Sequence, residues 1–417
     1  MGEKIKTTSI KGTADILPKQ MQLMQGVLDI IRQVFSQNGF NQIQTPILES
    51  LELLTKGDSG DNSKMMFKTI KRGAKLNLSK PNLAESDIVE EGLRYDLTVP
   101  LSRLYANNIN ELPKPFKALQ IGQSFRAEKP QNGRSREFIQ CDMDIFGEDT
   151  NLAEIELILS AYQAYKAMGL KNVQFKINDR RILNQLFYAI GFKNEDVSKL
   201  LITIDKCDKI GIDGVKDELL QQGFDIEIVD KLLKAIDCIK QNGVQECASY
   251  GVDKKVLDDM CEIINITNSF MEKGFSVSFD ISIIRGQGYY TGTVFEAYCT
   301  DANFERAIGG GGRYDNMLKR YLNEDVCAVG YSIGLVPCLI ILEYLGITLN
   351  QQKQKIVLLY KKEDSKLEVI KQKNSLMFSY CVTIMQEPKN YKSFMQKMKN
   401  LGYVAIIKLN QDKLIEL

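Results

Sequence analysis

Histidine is absent from all 417 residues of this chain. That gap excludes a nucleophile activated by histidine, a histidine general base and any histidine-ligated metal. Cysteine occurs nine times but never as a Cys-x-x-Cys pair, so reduced core thiols are the expectation. No run of about eighteen apolar residues exists, which excludes a spanning helix and removes a membrane from the expected partners. The first residues carry no apolar core and no small-residue cleavage pattern, so a cytoplasmic location is expected. An excess of one charge is also lacking: 54 Lys and Arg stand against 53 Asp and Glu, for a formal net charge of +1. Without a broad basic field, DNA is not an expected partner, and nucleic-acid contact must come from local clusters. No metal site is expected from side chains alone.

Carboxylates, arginines, tyrosines and backbone must then carry the chemistry. The length calls for two or three domains, and a 44% hydrophobic fraction can fill their cores. Met24, Val27, Leu28, Ile31, Val34 and Phe35 recur at helical spacing, predicting a helix over residues 19–38 ended by Gly39. An extended piece follows at 41–45. Asn151 with Glu154 three places on predicts a capping box opening a helix to about residue 168. Residues 173–273 become Lys- and Asp-rich with helical periodicity at 183–192, 197–201, 228–239 and 256–271, and are read as a helical insertion. Strand-like segments return at 276–284 and 292–299. A polar linker at 350–354 precedes alternating strands (356–360, 380–385, 404–409) and helices, a small α/β module. The expected domains are 1–172 and 274–348 as two parts of one core, the insertion 173–273, and the module 355–417.

The most informative stretch is 116–147. Leu119, Ile121 and Phe125 alternate with Gln120, Gly122, Ser124 and Arg126; after a polar loop, Ile139, Cys141, Met143 and Ile145 alternate with Gln140, Asp142 and Asp144. Such a hairpin presents Arg126, Gln140 and Asp144 from one face of a rigid sheet. An arginine fork pairs with carboxylate or phosphate, and carboxylates hold an ammonium or a ring N–H. A solvated hairpin with ordinary surface charge gives the same pattern. Two glycine clusters carry less. Gly286-Gln287-Gly288 lacks the third glycine of a dinucleotide site, and 309–312 lacks the Lys-Ser/Thr of a phosphate loop, so a tight turn with close backbone approach is expected there.

Six segments together say more. Leu93-Arg94-Tyr95-Asp96-Leu97-Thr98 resembles the histidine-contacting element of histidyl-tRNA synthetases. Phe125 to Glu128 with Arg136 to Asp144 resembles motif 2 of that family. Arg285-Gly286-Gln287-Gly288-Tyr289-Tyr290-Thr291-Gly292 resembles its tyrosine signature. Gly310 to Asp315 and Gly330 to Leu335 resemble the run into motif 3, while Lys11 to Pro18 and Thr45 to Glu49 resemble the opening segment and motif 1. The resemblance implies an α+β fold of class II synthetase type: an antiparallel sheet flanked by helices, a helical insertion, and an anticodon-binding C-terminal module, assembled as a homodimer. It implies ATP-dependent activation of histidine, with Mg²⁺, and transfer to tRNA(His). Asp96, Thr98, Gln140, Asp144, Tyr289 and Tyr290 would hold histidine. Arg126 would meet the α-phosphate and the carboxylate, Arg285 the charge developing in the reaction, and Glu128 the adenine. Arg134 and Arg136 would serve the triphosphate or the tRNA end.

The chain departs from that family where motif 3 should carry a Glu-Arg pair, since Val336 and Pro337 stand there. Losing one preorganised cationic contact costs about 3–4 kcal/mol, roughly 10²–10³ in rate. Gly288 replaces an acidic residue, Ile139 an aromatic one or histidine, and the C-terminal module stops about one strand and one helix short. The alternative expectation is a non-catalytic paralogue: a histidine-sensing regulatory subunit of ATP phosphoribosyltransferase, or a tRNA-binding scaffold.

Overall fold

The computed structural model describes residues 7–56, 65–129, 135–285, 289–322, 325–349, 353–411 and 413–417. Its strands in chain order are β1 (Asn41–Ile43), β2 (Leu48–Ser50), β3 (Lys68–Ile70), β4 (Val89–Leu93), β5 (Phe116–Phe125), β6 (Glu137–Phe146), β7 (Val173–Asp179), β8 (Phe275–Phe279), β9 (Thr293–Cys299), β10 (Gly309–Arg313), β11 (Ala328–Ile333), β12 (Lys355–Tyr360), β13 (Cys381–Gln386), β14 (Tyr403–Lys408) and β15 (Ile415–Glu416). Eight of them form one sheet, β1-β5-β6-β11-β10-β9-β7-β8, and β2-β4-β3 form a smaller one. In the large sheet the six strands from β5 to β7 pair antiparallel throughout, and only the edge strands β1 and β8 pair in parallel. The fold is α+β, an antiparallel platform flanked by helices.

Two compact units divide the chain, Val27–Ile347 with the N-terminal residues to Asp15, and Ile16–Gly26 with Thr348–Leu417. In the smaller unit β13-β12-β14 run parallel and β15 antiparallel. Ile356 and Leu358 pack toward Val369 on one face, Val357 and Leu359 toward Met398 on the other. A sheet covered on both faces needs such an unbroken apolar run.

The helix expected at 19–38 is Pro18–Gln37, its six periodic apolar residues buried, and Gly39 at φ +82° follows it in the left-handed region. Four expectations are corrected. The segment 173–273 does not begin as a helical insertion: Val173, Phe175 and Ile177 point into the core as strand β7, a full member of the large sheet. Helices occupy it from Arg180 to Phe270, including Cys207–Gln221, which lacks clean periodicity because Gly211 is non-helical inside it. The strand expected at 276–284 ends at Phe279, because the Asp280 carboxylate accepts from Ser282 N and Oγ and turns the chain.

The capping box at Asn151 does not form. The helix Leu152–Ala167 has no side-chain cap, and Glu154 instead accepts from Arg313 Nε at 2.8 Å and Nη2 at 2.7 Å. Nor are residues 309–312 a turn; they lie in the extended strand β10 between β9 and β11. Close approach is the part of that reading that stands. A Cβ at Gly311 would lie 1.9 Å from the Gly330 carbonyl oxygen, and one at Gly309 2.3 Å from two tyrosine hydroxyls.

Candidate active site

The hairpin β5–β6 supplies the floor of a polar cavity of about 50 Å³. Period two puts Gln140, Asp142 and Asp144 on one face, and the β6–β11 register sets Asp142 opposite Ser332 and Asp144 opposite Gly330. Asp96, Thr98, Arg126, Gln140, Asp144, Arg285, Tyr289 and Tyr290, all singled out from sequence, line this one cavity. Arg126, Gln140, Arg285, Gly310 and Ser332 also line a wider cavity of about 650 Å³, which Glu128 joins. Arg136 is not among the lining residues; its Nε donates to the Glu128 carbonyl at 3.2 Å. Arg134 lies outside the described residues, as do residues 286–288.

Buried contacts hold each group in place. Arg94, 2% exposed, donates from Nε to the Gln123 carbonyl and from Nη1 to Thr45, tying the stretch before Asp96 to β5. Gly122 leaves room for it: a Cβ there would meet Arg94 Nη2 at 2.3 Å. Asp96 Oδ1 accepts from Val99 N at the start of the helix Thr98–Asn108, where carboxylates are favoured by exposed N–H groups. Arg126 Nε donates to the Tyr95 carbonyl at 3.0 Å, and its guanidinium lies 5.0 Å from the Phe138 ring centre. Arg285 Nη1 donates to Glu296 Oε1 at 2.9 Å, where a Cβ on Gly310 would intrude.

Sequence reading alone left out Asp142, Tyr314, Ser332, Glu296 and the glycines of β10 and β11. Asp142 shares the parity of its two neighbours, so the signal was present; the others come from β9 to β11, or in the case of Tyr314 from the residue just after β10, and the register of those strands is revealed only by folding. Ser332 Oγ donates to Asp142 Oδ1 and Tyr314 OH to Asp144 Oδ1, each at 2.5 Å, and Gln140 Nε2 donates to Asp142 Oδ2 at 3.2 Å. Tyr314 is itself wedged edge-on against Phe146, which stacks on Tyr105 at 4.6 Å.

Three aspartates and two arginines in one small buried space leave the carboxylates under-compensated. Burial pushes the Asp142 carboxyl up to about 7, with Asp96 adding to the rise and Ser332, Arg126 and Gln140 opposing it. Burial first and Asp142 second push Asp144 well above the ordinary carboxylate range. Of the residues lining this cavity, three have a buried polar atom with no hydrogen-bond partner among the described residues: Gln140 Oε1, Asp144 Oδ2 and Arg285 Nε. Buried polar atoms without partners are costly and rare, so two acceptors and one donor around this space ask for a ligand that carries both donors and an anionic acceptor.

The helix Leu335–Tyr344 follows β11, and Pro337 falls in its first turn, where Cys338 N is already bonded to the Gly334 carbonyl. Proline is tolerated there because first-turn N–H groups have no intrahelical partner. Val336 and Pro337 form part of the wide cavity's wall, beside Ile333 and Leu335. That wall is apolar.

Among the described residues no helix is long and apolar enough to cross a membrane. All nine cysteines are free.

The family model described as histidyl-tRNA synthetase matches residues 12–337. A histidine–tRNA ligase from Leifsonia xyli subsp. xyli is 37% identical over 343 residues, covering 78% of each chain. One from Finegoldia magna is 31% identical over 414 residues, 97% of this chain and 92% of the relative. Among solved structures, a histidyl-tRNA synthetase from Nostoc sp. PCC 7120 superposes with a TM-score of 0.76 at 24% identity, covering 97% and 91% of the two chains. A Bacillus halodurans protein described as an ATP phosphoribosyltransferase regulatory subunit/histidyl-tRNA synthetase gives 0.77 at 18% identity, covering 97% and 99%. These last two share the fold. By the extent of the family match and the identity of its relatives, this chain belongs to the histidyl-tRNA synthetase family.

Proposed function

We propose that the chain activates histidine with ATP and transfers it to tRNA(His). The observation that carries the reading is the set of partnerless atoms in the small cavity: acceptors at Gln140 Oε1 and Asp144 Oδ2, a donor at Arg285 Nε. Histidine matches that set, with an ammonium and a ring N–H as donors and a carboxylate as acceptor. In this reading Asp144, held by Tyr314, and Tyr289 and Tyr290 receive the imidazole, while Gln140, Asp96 and Thr98 receive the ammonium. Arg126 and Arg285, which line both cavities, stand between the two substrates.

The carboxylate of histidine attacks the α-phosphorus of ATP, forming the acyl–phosphate bond as pyrophosphate leaves. No protein base is required, since the nucleophile is already ionised, and this agrees with a chain lacking histidine. Positioning and the two arginine charges supply the catalysis. Glu128 would read the adenine in the wide cavity, with Arg134 and Arg136 serving the triphosphate or the tRNA end. The carboxylates of that cavity, Glu128, Asp205 and Glu296, do not gather into a three-ligand metal group among the described residues. Mg²⁺ would thus enter on the ATP phosphates, which fits its usual pairing of phosphate oxygens with one or two carboxylates. A homodimer and a cytoplasmic location belong to the same reading.

One observation favours a second reading, a histidine-binding paralogue without ligase activity: the apolar Val336–Pro337 wall where the family carries a cation. Histidine-dependent ATP–pyrophosphate exchange by the purified chain separates the two. Exchange supports the ligase; histidine binding by calorimetry with no exchange supports the paralogue; neither signal overturns both.

A further inference from the structure

Arg285 has φ +61°, a left-handed conformation that a residue bearing a Cβ keeps only when its surroundings impose it. Its side chain is held by Glu296 and by the missing Cβ of Gly310. Its backbone is held elsewhere. Arg180, the first residue of the helix Arg180–Ile190, donates from Nη2 to the Arg285 carbonyl at 2.7 Å. The backbone N–H of the same Arg180 donates to the Gly292 carbonyl at 3.0 Å. One residue thus fastens both ends of the chain from Arg285 to Gly292, the stretch that contributes Tyr289 and Tyr290 to the cavity.

Arg180 is 7% exposed, an expensive position for a guanidinium. Burial brings its pKa down to about 10 against the pull of Asp205 and Tyr290, so it stays charged near neutrality. Asp179 completes the corner: its Oδ1 accepts from Arg181 N, and its Oδ2 accepts from Thr293 Oγ1 at the start of β9. Among the described residues the Arg180 guanidinium makes its hydrogen bond through Nη2 to the Arg285 carbonyl, while its buried Nε has no partner, so its one polar contact is the grip on that backbone.

We infer that Arg180 is a positioning residue, which grips the Arg285 carbonyl and so aims the Arg285 guanidinium at the reacting carboxylate. The inference rests on the activation reading above for what Arg285 does. Arg180 itself touches neither substrate: it is absent from the lining of both cavities.

A double-mutant cycle tests this, with R180M, R285M and the R180M/R285M double variant compared in histidine-dependent ATP–pyrophosphate exchange. R180M is expected to lower kcat by about 10- to 100-fold with a much smaller change in KM for ATP, the pattern of a contact made in the transition state. Because Arg180 acts through Arg285, the double variant should be no slower than R285M to within about twofold. R180K, which keeps one donor for the carbonyl, should recover most of the rate. If thermal melting shows R180M unfolded, R180Q, shorter than arginine and uncharged, takes its place, with R180Q/R285M then closing the cycle. Losses that multiply in the double variant, or R180M at wild-type kcat, overturn the inference. If the wild-type chain binds histidine without exchanging, the activation reading fails instead. The same cycle is then read in histidine Kd by calorimetry, where multiplying losses again overturn the role of Arg180. A wild-type chain that neither exchanges nor binds overturns both.

Discussion

Gly330 lies directly across the β6–β11 ladder from Asp144, and a Cβ at position 330 would stand 2.2 Å from Asp144 Oδ1. The carboxylate cannot step aside, because Tyr314 is 3.1 Å from the same point and is itself fixed by Phe146. Gly330→Ala is therefore expected to push Asp144 out of register with the ligand. Histidine affinity should fall by at least about tenfold, equivalent to about 1.4 kcal/mol, with an overpacking cost of about 1–3 kcal/mol in stability. Calorimetric titration with histidine and a thermal melt read the two effects. An unchanged Kd would mean that Asp144 does not meet the ligand.

The buried carboxylates also set a pH dependence. Asp142 titrates at about 7 in the folded chain but near about 4 once unfolded. Across that window the native state holds a proton the unfolded state has released, so stability falls as pH rises, by up to about 1.4 kcal/mol per pH unit. Asp144 is shifted in the same direction. Asp142→Asn keeps an acceptor for Ser332 and removes one titration. The variant should match wild type near about pH 5 and exceed it near about pH 8 by about 1–4 kcal/mol. Urea denaturation at both pH values checks it; a wild-type chain that gains on the variant with rising pH would contradict the shift.

Glu154 and Arg313 form a buried bidentate pair, the carboxylate 1% exposed, that joins the helix Leu152–Ala167 to β10. Breaking it strands a charge. Glu154→Ala should cost about 3–5 kcal/mol, while E154M/R313M should cost clearly less than the sum of the single changes. Additive losses in chemical denaturation would show that the two side chains do not depend on one another.

Local pattern made the hairpin and the first helix legible, because period two at 137–146 and helical spacing at 24–35 are properties of adjacent residues. That Asp96, Arg126, Gln140 and Arg285 would line one cavity was legible through their segments taken together. What escaped depends on register between distant strands. Nothing near Tyr314 in sequence says that its hydroxyl reaches Asp144 170 residues away. The glycine run 309–312 read as a turn because glycine usually marks one, whereas here it is dictated by what fills the missing Cβ positions, Arg285 above Gly310 and the Gly330 carbonyl beside Gly311. Glu154 read as a cap for the same reason: its true partner, Arg313, comes from far along the chain.

Pro337 gives the most direct test of how far the site has drifted. It sits in the first turn of the helix Leu335–Tyr344 and on the wall of the wide cavity, so exchanging it breaks no helical hydrogen bond and needs no backbone shift. Pro337→Arg would return a guanidinium to the space proposed for the nucleotide phosphates, where Val336, Leu335 and Ile333 now present only apolar surface. If the missing cation is the main defect, kcat for ATP–pyrophosphate exchange should rise by about 10²–10³, with KM for histidine nearly unchanged because the small cavity is untouched. Rates that stay flat in a variant melting like wild type would move the defect to another departure from the family, of which Gly288, in place of an acidic residue beside the tyrosine pair, is the next to exchange.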